Sequence, residues 1–357
     1  LKKLRVVILA VGLATPAFAV GTWEEYMPVR FEAVTCINDV AFNASGTGFA
    51  ASNTLSGGTR NYVWKYARGE WIKAPDPYEK VARLTVGGDG SCYGLAEGGR
   101  TIFRLSPGAQ YWQGIGDPYA VGMERFVAVV GVGAREYWAA GRKKTNGHGL
   151  VIYYVNDQPH QIFDLGLLNP FHDVSIRLDV PRSANPSGVA YAVSTYYQGI
   201  QPEWEYRLYI LEPSGEISYY KIPISTGYAC GGLVARSPGD VLVSFNRGSS
   251  VIFAFANGKF TEVARYPGRC DVRAYTTSNE GWGVSYQETV YHWTNAGPSE
   301  KYVLSGRVRD LDFLTPRSGW AVGRKEIEGE WVGMMWRYTR DVVVTPTSLG
   351  CVKALFR

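Results

Sequence analysis

Apolar and polar residues along this chain fall into short runs separated by turns rich in Gly, Ser, Asn and Asp, which is the pattern of strands rather than helices. One phrase returns seven times: such a turn, then an aromatic or branched residue followed by small residues. The clearest copy is Ser318-Gly319-Trp320-Ala321-Val322-Gly323. The others are Gly46 to Ser52, Gly90 to Ala96, Arg135 to Gly141, Gly188 to Ser194, Gly239 to Phe245 and Glu280 to Ser285. Their key positions, Phe49, Tyr93, Tyr137, Tyr191, Val241, Trp282 and Trp320, lie 44, 44, 54, 50, 41 and 38 residues apart. A period near 45 matches a four-stranded propeller blade. The pattern therefore predicts an all-β fold: a seven-bladed β-propeller of four-stranded antiparallel blades.

Each unit reads as four strands. An inner strand comes first, as in Ile37 to Phe42, Val81 to Val86, Asp173 to Val180, Asp271 to Thr276 and Arg309 to Leu314. The repeated phrase is the second strand. A third carries aromatics, as in Tyr62 to Tyr66, Val251 to Phe255 and Met334 to Tyr338. The outer strand follows a turn, as in Gly69 to Lys73 and Gly258 to Val263. Asn257-Gly258 has the residues that tolerate positive φ in a tight hairpin. The small residues of the phrase are expected where neighbouring blades approach closely. Gly21 to Met27 resembles an outer strand without a blade of its own, and is expected to complete the seventh blade and cover its edge. Asp341 to Thr345 is the alternative for that place. Cys351 to Phe356 resembles the start of a further inner strand.

Composition adds compartment and partner class. The 24 Tyr, 11 Trp and 42 Gly among 357 residues suit half-buried strand faces and tight turns. Lys2, Lys3 and Arg5, the apolar run Val6 to Thr15, Pro16 and then Ala17-Phe18-Ala19 form the pattern of a signal peptide over 1–19, with 20–357 as a single propeller domain. A buried N-terminal strand is the alternative. A secreted or periplasmic, monomeric protein with no membrane span in its mature chain is expected. Without those three basic residues the formal charge falls from +5 to +2, which gives no support for nucleic-acid binding. Of the cysteines Cys36, Cys92, Cys230, Cys270 and Cys351, all but Cys92 sit at inner-strand starts. Pairings of Cys230 with Cys270 and of Cys36 with Cys351 are open, subject to distance.

Candidate chemistry lies where the repeat is broken. In Asp173-Val174-Ser175-Ile176-Arg177-Leu178-Asp179 the polar residues share one face, which would line the central channel. The same rule turns Arg83, Arg273, Asp310 and Asp312 inward. They form either a mixed-charge funnel for a polar ligand or a merely hydrated channel. Asp39, Asp173, Asp271 and Asp310 recur at similar places, which suits backbone capping better than a unique catalytic constellation. The longest unit carries the aromatic loop 196–206, whose Tyr197 and Trp204 offer contacts to a protein or sugar ring, or else pack on their own blade. The four His residues are scattered, and there is no Gly-x-Ser-x-Gly elbow, complete dinucleotide loop or calcium loop. No cofactor and no metal is expected.

At Asp310-Leu311-Asp312-Phe313, Gly319-Trp320-Ala321-Val322-Gly323 and Trp336-Arg337-Tyr338 the chain resembles the WAVG propeller repeats. These are related to sialidase-type BNR repeats and to photosystem II assembly-factor-like propellers. The resemblance is loose over all seven units and strong in the last. It implies a propeller with a binding or assembly role. Sialidase Asp boxes are absent, which puts glycosidase activity in doubt. The expected function is a non-catalytic module that binds a protein or glycan through its channel mouth and blade loops. A polysaccharide hydrolase or lyase with a site at the same mouth is the alternative.

Overall fold

The computed structural model describes residues 21–26, 36–53, 61–168, 176–181, 188–197, 204–225, 227–277, 280–285, 287–294 and 297–340. They form seven four-stranded antiparallel sheets arranged as a ring of blades. Blade one is Cys36–Phe42, Gly48–Asn53, Val63–Ala67 and Glu70–Lys73, in hydrogen-bonded order. Blades two to six repeat that order, beginning with inner strands Val81–Val86, Met123–Gly133, Ile176–Asp179, Ala229–Ser237 and Asp271–Thr277. Blade seven is Arg307–Thr315, Ser318–Ile327 and Glu330–Thr339. The helical content of the described residues is one short 3-10 turn, Tyr119–Val121. Asn257 and Gly258 have φ of 51° and 75°, as the tight hairpin there requires.

Blade seven takes its fourth strand from the other end of the chain. Thr22–Tyr26 pairs antiparallel with the third strand, Thr22 opposite Thr339 and Tyr26 opposite Met335. The position that Asp341 to Thr345 would have filled is thus held by the N-terminal strand; residues 341–345 themselves lie outside the described residues. So do the signal-peptide segment 1–19 and Cys351 to Phe356. Trp23 and Tyr26 point to opposite faces of the strand. Trp23 enters the wedge between blades six and seven, with ring centroids 5.2 Å from Tyr338 and 6.1 Å from Trp282. Tyr26 enters the wedge between blades seven and one, 4.7 Å from Trp320. One short strand therefore supports both seams beside the closure.

The core is a set of seven apolar wedges, one at each blade–blade seam. Both faces of each sheet are covered, so the phrase strands are apolar throughout. In blade seven Trp320 and Val322 face blade one, while Ala321 faces blade six. The glycine of the phrase has a different reason from the expected close approach of neighbouring blades. A Cβ on Gly323 would lie 2.0 Å from the Arg307 carbonyl oxygen, and one on Gly141 2.4 Å from that of Arg125, both on the inner strand of the same blade. Those contacts sit beside a one-residue bulge, where two inner-strand residues oppose one on the second strand. Such a bulge recurs in six inner strands, with Asn38, Ala82, Val127, Gly231, Arg273 and Arg309 as the extra residues.

The cysteines Cys36, Cys92, Cys230 and Cys270 are free thiols, so Cys230 and Cys270 form no bridge. Cys270 is packed into the wedge between blades five and six, and Cys230 lies against the wedge between blades four and five.

The N-terminal strand should carry part of the stability of the whole ring. Deleting residues 20–29 removes two half-buried aromatics, about 2 kcal/mol each. The melting temperature should fall by roughly 6 °C or more. An unchanged melt in differential scanning calorimetry would contradict the closure.

Candidate functional site

The inner strands of all seven blades surround a central cavity of 160 Å³. Its wall carries Arg83, Arg177, Arg273 and Asp310, four of the residues expected there, together with Asp39 and Asp179. Asp312 stands apart. It is buried, its carboxylate accepts the Phe42 N–H at 2.7 Å and its own Phe313 N–H at 2.7 Å, and it borders a neighbouring cavity of 220 Å³. Asp173 lies outside the described residues. Tyr197 and Trp204 pair across the second and third strands of blade four. These strand ends, like the hairpin at Glu328-Gly329 in blade seven, lie toward the face where the inner strands begin; residues 198–203 lie outside the described residues.

The recurring aspartates cap backbone, and they do so between blades. The Asp39 carboxylate of blade one accepts the Leu84 N–H of blade two. Asp310 of blade seven accepts the Val40 N–H of blade one at 3.3 Å. Asp179 of blade four accepts the Ala235 N–H of blade five at 2.8 Å. Side-chain hydroxyls do the same work elsewhere: Ser244 accepts the Val272 N–H at 3.0 Å and Thr85 the Gly131 N–H at 3.4 Å. Inner strands have a sheet neighbour on one edge only, so donors on the other edge need acceptors of this kind. Asp271 has another part. It is fully buried, holds Arg269 at 3.2 Å and Arg273 at 3.6 Å, and accepts from the Asn246 amide at 2.5 Å.

Two of the carboxyls meet. Asp39 and Asp310 stand together on the cavity wall, with Arg83 near the first and Arg273 Nε 3.4 Å from the second. Loss of solvent, followed by the charge and hydrogen bond of Asp310, holds the Asp39 carboxyl well above the usual carboxylate range; the Leu84 N–H and Arg83 oppose the shift.

Arg177 differs from these paired groups. Its Nε and Nη1 are buried and have no hydrogen-bond partner among the described residues. It lies beside Cys230, whose thiol is pushed up to about 12 by burial, with Arg177 opposing the shift. The sequence singled out Arg177 by alternation. It gave Asp39 only a capping role, although Asp39, Arg83 and Asp310 each stand ten residues before the key aromatic of their blade. That shared offset was the available signal. Among the described residues no group of three or more His, Cys, Asp or Glu is placed to hold a metal ion, and no helix is long and apolar enough to cross a membrane.

Comparisons with solved structures define the class of architecture. The chain is similar to a streptogramin B lyase, with a TM-score of 0.61 at 15% identity, covering 90% of this chain and 98% of that one. It is similar to YCF48 from Cyanidioschyzon merolae, with a TM-score of 0.59 at 11% identity over 89% of this chain and 98% of that one. A structure of YCF48 bound to D1 peptide gives a TM-score of 0.56 at 16% identity, over 89% and 97% of the two chains. At these identities the likeness is one of fold, the seven-bladed all-β propeller. No protein-family model and no curated protein matches the sequence.

The raised pKa of Asp39 has a consequence for stability. A carboxyl whose pKa is raised by folding contributes stability that is full below the ordinary carboxyl pKa and is lost as pH rises through the folded value. Asp39→Asn keeps an acceptor for the Leu84 N–H and a donor for Asp310 without a titrating proton. The stability of Asp39→Asn relative to the unaltered protein should increase as pH is raised from about 4 to about 8. Thermal melts of both proteins across that range check this, and a pH-independent difference would contradict it.

Proposed function

We propose that this chain is an exported, non-catalytic propeller that binds a segment of a partner protein at the channel mouth where the inner strands begin. The observation that carries the reading is the division of labour on the channel wall. Asp39, Asp179 and Asp310 already accept backbone N–H groups from the next blade. Arg177 keeps two buried donors without acceptors among the described residues. A wall whose acids are committed to structure and whose arginine is open is suited to holding a polar or anionic group rather than to moving protons. The likeness to WAVG repeats at Gly319 to Gly323 and the fold shared with a propeller that binds D1 peptide support a peptide segment over a glycan. Export rests on the signal-peptide pattern over 1–19.

A second reading, a polysaccharide hydrolase or lyase at the same mouth, draws on one observation: Asp39 and Asp310, with Arg83 and Arg273 beside them, converge in one cavity. The two readings separate in one pair of assays. Partner protein retained by the immobilised chain should fall about tenfold for Arg177→Gln, the scale of one charge-assisted hydrogen bond. Retention equal to that of the unaltered chain would contradict the binding reading. Turnover of any member of a panel of glycosidase and lyase substrates that is abolished by Asp310→Asn would favour the second.

A further inference from the structure

The wedge between blades seven and one ends in a cluster of arginines. On the side of blade seven that faces blade one, Trp320, Val322 and Met335 are buried against Ile37 and Trp64. Toward the face where the inner strands begin, the same side continues into arginines. Arg324 follows Val322 by two residues and stands directly opposite Arg307 on the neighbouring strand. Like charges directly opposite each other in an antiparallel pair are destabilising. Arg309, the extra residue of the bulge, lies against Cys36 of blade one together with Arg324. Bulges of this kind re-aim a side chain, and here they bring a third guanidinium to the seam.

The arginines are not neutralised by acids. Lys325, next in sequence, is held by Glu25 at 2.7 Å, and no such ion pair joins Arg307, Arg309 or Arg324 to a carboxylate among the described residues. Instead Arg324 and Arg307 lie over the ring of Trp331, at 4.2 and 4.9 Å from its centre. Trp331 reaches them because Gly333, two residues on and opposite Arg324, leaves the intervening place empty. The Nε atoms of both Arg309 and Arg324 are buried without a hydrogen-bond partner among the described residues. Each buried donor left unmade costs on the order of 1–3 kcal/mol. Two such donors, three converging cations and an aromatic platform make a place that an oxyanion would complete.

The geometry points to an oxyanion-binding site at the seam of blades seven and one, in which Arg309 and Arg324 donate from Nε, Arg307 adds charge and Trp331 forms the floor. Its ligand is a carboxylate, sulfate or phosphate group, free or carried on a larger molecule. The site is separate from the channel wall around Arg177 and does not depend on the binding reading given for that wall.

The test uses melting of the full chain in sodium chloride, sulfate, phosphate and acetate at matched ionic strength, beside Arg309→Gln and Arg324→Gln. Sulfate and phosphate also stabilise proteins by exclusion from the surface, so the quantity read is the difference between the unaltered chain and the variants. At least one oxyanion should raise the melting temperature saturably, by about 2 °C more than in either variant. Which of the three salts does so identifies the group. Equal responses in the unaltered chain and both variants would overturn the site and leave surface exclusion as the only effect. If the Arg309 and Arg324 substitutions prevent folding, the exposed Arg307→Gln carries the test: it should raise the half-saturating concentration at least threefold, and an unchanged value would overturn the proposal.

Discussion

Ring closure is the constraint on which the rest of this structure depends. Each inner strand pairs with its own second strand and meets the adjoining blades through side chains and through isolated backbone bonds, such as Phe126 N–H to the Gly99 carbonyl at 2.8 Å and Val308 N–H to the Gln287 carbonyl at 2.7 Å. Its free edge must still find acceptors, and the ring must hold at every seam. The chain meets both needs with one device, an acceptor on one blade that takes the backbone N–H of the next. Asp39, Thr85, Asp179, Ser244, Asp310 and Asp312 serve five seams in this way. The remaining two have polar ties of other kinds. Trp138 Nε1 donates to the Gly188 carbonyl at 2.8 Å between blades three and four, and Arg273 meets Asp310 between six and seven.

This use of charge shapes what the channel can do. Asp310 belongs at once to the tie with blade one and to the ion pair with Arg273, and its charge raises the pKa of Asp39. A change in its charge therefore acts on three blades together. Other buried charges are likewise absorbed into the architecture. Asp157, for example, joins Arg104 at 2.6 Å and Arg135 at 2.9 Å across blades two and three. Buried pairs of this kind position blades more than they add net stability. Against that background the open donors of Arg177, Arg309 and Arg324 stand out, and all three belong to inner strands or their partners near the same face of the ring.

Much of the fold was legible because the repeat is a packing requirement. Trp320, Trp282, Tyr137 and their counterparts each fill a wedge between blades, so they return at the blade period. The closing strand was legible too, since Gly21 to Met27 had the features of an outer strand and no blade to join. The site was less so, and the bulges explain why. Alternation along a strand gives the facing of each side chain only while the register is regular. At Arg309 and Arg273 an extra residue interrupts it, and Arg273 reaches the cavity as such an extra residue; Asp312, in regular register two residues beyond Asp310, is instead taken up by the Phe42 N–H of blade one. The glycines of the phrase carried the signal of those bulges, but a glycine in a strand is equally consistent with close blade packing.

The account stands or falls on the ties between blades, and amide hydrogen exchange reads them most directly. If the carboxylates of Asp39, Asp310 and Asp312 hold the next blade, the amides of Leu84, Val40 and Phe42 should exchange as slowly as those of Ala50 and Ala321 in the centres of their sheets. Exchange at the rate of an open turn such as Gly69 would show that these inner edges are free and that the aspartates do not tie the blades.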